Sequence, residues 1–94
     1  MNEIKKMYSE HLETPFPDGL RGSNAADQDL AMLDTNIAGV VSAYLNNNGK
    51  LDTQRLQILK RLVSKMDDVI NEIPQDAKGY FLRLKRLGEL TLKN

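Results

Sequence analysis

The chain of 94 residues contains no cysteine and a single histidine. Without cysteine it can form neither a disulfide framework nor a thiolate metal site, and one histidine excludes a zinc site built on two. It also has no net charge, since 13 basic residues balance 13 acidic ones. This balance argues against a protein that is held on nucleic acid or a membrane by overall charge alone. We therefore expect neither a metal nor another cofactor.

Long apolar runs are absent as well. No run approaches the roughly 20 residues of a membrane-spanning helix, and the first twelve residues lack the apolar centre of a secretion signal. Aromatic residues make up 5% of the chain, so its core must be mostly aliphatic. These features predict a small cytoplasmic protein without membrane contact. We expect one domain over residues 1–94, because compact domains typically span about 50 to 250 residues.

Apolar residues recur at helical spacing in four segments, and no segment shows the period of two that is typical of a strand. The pattern predicts helices over about residues 3–12, 24–46, 52–73 and 76–92. Proline, glycine and asparagine are concentrated between these segments, and short connections favour helices that run antiparallel. We predict an all-α fold, a small up-and-down helical bundle of three long helices plus a short N-terminal helix.

The second predicted helix has a side of large residues and an adjoining side of small ones, which predicts contacts on both. Gly39 lies among the small residues. Glycine costs about 1 kcal/mol relative to alanine inside a helix, so we expect a close backbone approach there. Asp34 falls within the large apolar side, where a carboxylate must be paired or protonated. We expect it to be paired or hydrogen-bonded; Arg21 or a lysine of the third helix could be the partner, and the sequence alone does not choose between them.

No combination of residues in the sequence predicts catalysis. His11 lies on the apolar side of the first helix, where a lone histidine is usually a packed side chain. Ser9, two residues away, points elsewhere on the helix, so no serine, histidine and aspartate arrangement can be argued. We predict that the protein is not an enzyme.

Two segments are candidates for binding a protein partner. In the last helix, two leucines fall outside the apolar side and lie among basic residues. The loop 15–22 between the first two helices combines two prolines, two glycines and an apolar pair that could anchor it, although it could equally be a structural connector. The candidate partner-binding residues are Phe16, Leu20, Arg21, Leu82, Arg83, Arg86 and Leu90. We also expect the chain to form a homodimer, since extended apolar sides in a small domain often close in this way.

The uneven distribution of charge leaves a second function open. Residues 1–48 carry three basic and seven acidic side chains, whereas residues 49–94 carry ten basic and six acidic ones. The two halves could complement each other within one fold or between two copies. The basic last helix could instead bind nucleic acid, but no recognition helix or base-stacking aromatic platform accompanies it. We therefore keep a nucleic-acid-associated regulator as the alternative to a protein-binding one.

Overall fold

The computed structural model describes residues 2–17 and 25–93, with side chains over 3–17 and 29–93. This part of the chain consists of four α-helices joined by short connections and contains no strand. The predicted all-α helical bundle is confirmed. The helices are α1 (Asn2–Glu13), α2 (Ala25–Asn46), α3 (Thr53–Val69) and α4 (Gln75–Lys93).

The start of α3 follows the sequence pattern, but its end does not. Asp52 caps the helix, because its carboxylate accepts a hydrogen bond from the backbone N–H of Arg55 at 2.7 Å. That bond, together with the Arg55 guanidinium, holds the pKa of Asp52 below its ordinary value. The helix predicted to about residue 73 is an α-helix as far as Val69 and continues as a 3-10 turn over Ile70–Glu72. Pro74 disfavours helical backbone at the residue before it, and that residue is extended.

The core lies between α2, α3 and α4, and α1 packs across it. Its fully enclosed side chains are mostly aliphatic, as the low aromatic content requires. They include Ile37, Val41, Leu59, Met66, Phe81, Leu84 and Leu87. Gly88 marks the closest approach of α4 to α3, because a Cβ added there would lie 2.8 Å from a methyl carbon of Val63. Close packing between these helices therefore depends on the missing side chain.

Two sets of side chains define the directions of the helices. His11, near the end of α1, meets side chains from the N-terminal halves of α2 and α4. Tyr44 and Thr91, near the ends of α2 and α4, line a groove with Leu56 from the first turn of α3. Consequently α1 and α3 run opposite to α2 and α4, which gives an up-and-down arrangement.

Candidate functional site

A polar cluster links three helices at one end of the bundle. The Asp34 carboxylate of α2 accepts a hydrogen bond from the Tyr80 hydroxyl of α4 at 2.7 Å. Its other oxygen lies 2.6 Å from Nε2 of His11 in α1. The His11 side chain is 4% exposed and that of Asp34 is 17% exposed. The carboxylate therefore sits at the edge of the core with a partner on each oxygen.

The cluster holds three helices together. Burial, followed by the hydrogen bond to Asp34 and its negative charge, raises the pKa of Tyr80 far above its ordinary value of 10.0. The phenol therefore stays protonated and donates. Nε2 of His11 faces a carboxylate, whereas Nδ1 is fully buried and has no hydrogen-bond partner among the described residues.

Asp34 shows what the sequence did and did not predict. Its expected pairing is confirmed by the two contacts. Among the described residues its partners are His11 and Tyr80, and no lysine of α3 pairs with it. Arg21, the other partner considered, lies outside the described residues. Tyr80 lies at helical spacing with the apolar residues of its helix, and a phenol on such a side also needs a polar partner for its hydroxyl. That requirement was the signal that could have found the contact.

Phe16, one of the predicted partner-binding residues, contacts the chain itself. Its ring packs edge-on against Tyr80 and Phe81, with ring centroids 5.6 and 5.9 Å apart. The Phe16 side chain is half-buried. It thus covers the end of the core beside the polar cluster. Leu20 and Arg21, predicted on the same loop, lie outside the described residues.

The outward side of α4 carries the remaining predicted residues. Gly79, Leu82, Arg83 and Arg86 follow one another at helical spacing and are all exposed; they form what we call the α4 surface. Leu82 is 47% exposed. Arg83 donates a hydrogen bond to the neutral hydroxyl of Thr14 at 3.0 Å, and within the described part of the chain neither arginine forms an ion pair. The surface therefore combines an exposed leucine with two positive charges.

Leu90 departs from the prediction that it is exposed. It is half-buried and packs against the core. Its position near the last turn of α4 brings it beside the body of the bundle, so Leu82 alone of the two leucines is an exposed one.

The outward side of α2 has an unexpected composition. No charged residue occurs from Thr35 to Gly49, although the exposed residues of this stretch face solvent. Met32, on the same side, is 58% exposed. The described residues do not supply the close approach expected at Gly39, since no described atom lies within 4 Å of where its Cβ would be. Of the small residues of α2, Thr35 and Gly39 are exposed in the described part of the chain.

The described residues offer neither a metal-binding cluster nor a membrane-spanning helix. No group of three or more histidine, aspartate or glutamate side chains is arranged there to hold a metal ion. None of the described helices combines the length and apolar character that a bilayer crossing requires.

Comparison of the chain with protein-family models, curated protein sequences and solved structures found no match.

Proposed function

We propose that this chain is a small, non-catalytic helical interaction protein that binds a protein partner through the α4 surface and associates with itself. One observation carries the proposal: Leu82 is 47% exposed beside two arginines that form no ion pair with any described carboxylate. The opposite side of α4 is buried in the core. The helix is therefore held firmly while it presents an apolar and cationic strip.

The composition of the α4 surface supports contact with another helix. Gly79 lies at the N-terminal end of this strip, and no described atom is within 4 Å of where its Cβ would be. A glycine inside a helix costs about 1 kcal/mol relative to alanine, and no contact within the described residues offsets that cost. Close packing of a partner helix against the backbone at Gly79 would offset that cost.

The chemistry of the strip specifies the partner. Leu82 needs an apolar surface, and Arg83 and Arg86 need carboxylates, which arginine binds through two parallel hydrogen bonds. An acidic amphipathic helix supplies both. Transferring a leucine from water into such an interface contributes about 1.5 to 3 kcal/mol. The partner of this proposal is therefore an acidic helical segment of another protein.

The uncharged outward side of α2 supports self-association. Exposed helix sides usually carry charged residues, yet none occurs from Thr35 to Gly49. Small residues allow two helix backbones to approach closely, and a twofold dimer brings the same patch of each copy together. We assign the homodimer contact to this side, centred on Met32 and Gly39. The dimer leaves the α4 surface available to the partner.

The absence of catalysis and a cytoplasmic location complete the proposal. In the polar cluster, Nε2 of His11 is committed to Asp34 and Nδ1 is enclosed, which supports a structural role for the one histidine. The lack of cysteine fits a chain that needs no oxidising compartment for its folding.

Two variants separate partner binding from self-association. Leu82→Asp with Arg86→Glu removes the apolar contact and reverses one charge of the α4 surface, whereas Met32→Asp places a charge on the outward side of α2. Partner binding is measured by affinity capture from lysate of the source cell in the presence of nuclease. Self-association is measured by sedimentation equilibrium. We expect the first variant to lose the captured protein and the second to lose the dimer. Capture that is equal for wild type and Leu82→Asp/Arg86→Glu would overturn the assignment of the α4 surface.

Nucleic-acid binding is the alternative, and salt distinguishes it. Lys85 of α4 forms an ion pair with Asp67 of α3 at 2.7 Å, which raises the pKa of Lys85. Lys85 is therefore less available than the other basic residues of α4 to bind phosphate. Binding driven by phosphates loses orders of magnitude in affinity between about 50 and 200 mM salt. Docking that depends on Leu82 is much less sensitive. Capture that disappears with nuclease and at higher salt would favour the alternative.

A further inference from the structure

A groove lies at the end of the bundle opposite the polar cluster. It forms where the connection between α2 and α3 passes the last turn of α4, and its volume is about 420 Å³. Leu51, Leu56 and Leu92 give it half-buried apolar walls. Small-molecule sites commonly have volumes of about 300 to 1,000 Å³ and combine apolar walls with a few polar groups. The groove is therefore large enough for a small organic molecule.

Tyr44 is a buried polar side chain that lines this groove. It is 3% exposed, yet its hydroxyl forms no hydrogen bond with any described residue. Within the described residues, the one polar side-chain atom that is both fully enclosed and unpartnered is Nδ1 of His11. The Tyr44 hydroxyl is consequently not sealed off, and Tyr44 lines the groove. A hydroxyl that is accessible and forms no hydrogen bond with a described residue is available to donate one to a ligand.

Two lysines give the groove a positive charge. Lys50 and Lys93 line it, both are exposed, and neither forms an ion pair with a described residue. No described aspartate or glutamate lines the groove. The nearby carboxylate of Asp52 is engaged by the backbone and guanidinium of Arg55. A negative group placed here would meet two ammonium groups and a free hydroxyl donor, without opposing charge from the lining.

We propose that this groove binds a small amphiphilic carboxylate. Its head group would lie between Lys50 and Lys93 and accept a hydrogen bond from the Tyr44 hydroxyl, and its apolar chain would lie against the leucine walls. This site is separate from the α4 surface, so it adds a ligand to the proposed interaction function. A carboxylate at the C-terminus of a peptide has the same chemistry, and the experiment includes it as a separate arm.

Octanoate is the probe, and binding is followed residue by residue from amide chemical shifts of the full chain in NMR titrations. We expect saturable shifts at Gly49, Lys50 and Leu51. Octylamine has the same chain with the opposite charge, and acetate has the same head group without the chain; neither should produce these shifts. A peptide that ends in a free leucine carboxylate tests the second source. Saturation by that peptide with no response to octanoate would overturn the small-molecule proposal.

Tyr44→Phe gives the sharpest test, because it removes a hydroxyl that has no partner among the described residues. We expect an unchanged melting temperature and an octanoate affinity about tenfold to hundredfold weaker, as for the loss of a hydrogen bond to a charged group. Lys50→Glu with Lys93→Glu should abolish binding, and Lys60→Glu, an exposed change on α3 outside the groove, should not affect it. Wild-type affinity in Tyr44→Phe, or shifts scattered away from the groove, would overturn the proposal.

Discussion

The Asp34 carboxylate joins α1 and α4 to α2 through its two oxygens. Asp34→Ala removes both contacts and leaves Nε2 of His11 and the Tyr80 hydroxyl with only each other, 3.3 Å apart, as described partners. Removing the shared acceptor of such largely buried groups costs about 1 to 3 kcal/mol. We expect a drop in the free energy of unfolding in that range, measured by urea denaturation.

Glu13→Ala is the matched control for this prediction. Glu13 is an exposed carboxylate at the end of α1, so its truncation should change stability by less than about 0.5 kcal/mol. Equal melting temperatures for the two variants would contradict the role of Asp34 as the link between the helices.

The raised pKa of Tyr80 predicts that the free energy of unfolding decreases in alkaline solution. Its pKa is raised above the ordinary value of 10.0, first by burial and then by Asp34, so the folded state keeps a proton that the unfolded state releases near pH 10. The free energy of unfolding is then unaffected by this group below about pH 10 and falls as pH rises toward the raised pKa. Denaturation curves at a series of pH values measure this slope.

Tyr80→Phe removes the titrating group while it keeps the ring. Its absolute stability is lower because the hydrogen bond to Asp34 is lost, so the comparison concerns the slope alone. We expect the variant to lose less stability than the wild type between pH 10 and higher pH. Parallel slopes for the two proteins would show that Tyr80 does not link folding to pH in this way.

Three glycines lie inside helices, and replacing them by alanine should raise the stability of the protein at two positions and lower it at the third. A Cβ at Gly39 or Gly79 would meet no described atom within 4 Å, whereas one at Gly88 would lie 2.8 Å from Val63. Gly39→Ala and Gly79→Ala should each raise the free energy of unfolding by about 0.5 to 1 kcal/mol through helix propensity. Gly88→Ala should lower it, because α3 and α4 must separate. Thermal denaturation at low protein concentration reports each change, and a Gly88→Ala protein more stable than wild type would contradict the packing described.

Helix positions were readable from the sequence because burial imposes a period of 3.6 residues on apolar side chains. The cap at Asp52 was predictable for a local reason, since a short acidic side chain before a helix binds the exposed N–H groups of its first turn. The change to a 3-10 turn after Val69 was not predicted, although Pro74 lies between the predicted third and fourth helices. The local pattern thus indicates where the helix ends, whereas the conformation of its last turn is not determined by that pattern.

Contacts between distant segments were much less predictable. The sequence indicated that Asp34 needs a partner, but His11 and Tyr80 are 23 and 46 residues away, and helical periodicity does not determine which helices meet. The same limit applies to Gly39, where a side of small residues indicated a contact that the described part of the chain does not make. Leu82 was identified correctly as exposed because exposure depends on its own helix alone, whereas Leu90 depends on the neighbours of α4.

At the scale of the whole molecule, the bundle has two surfaces that its own folding does not use. The α4 surface presents Leu82 with two arginines that form no ion pair with a described residue, and the outward side of α2 presents an uncharged strip around Gly39. They lie on different helices, so one can hold a second copy while the other binds a partner. This division of surfaces is the central claim of the proposed function.

Site-specific photo-crosslinking tests that claim most directly. A benzophenone side chain replaces Leu82 in one protein and Met32 in another, and both are irradiated in the source cell. The account predicts an adduct of Leu82→benzoylphenylalanine with a different protein, weakened when Arg83 and Arg86 are both changed to Glu, and an adduct of the Met32 variant with a second copy of the chain. The absence of a protein adduct at position 82, or the same adducts at both positions, would contradict it.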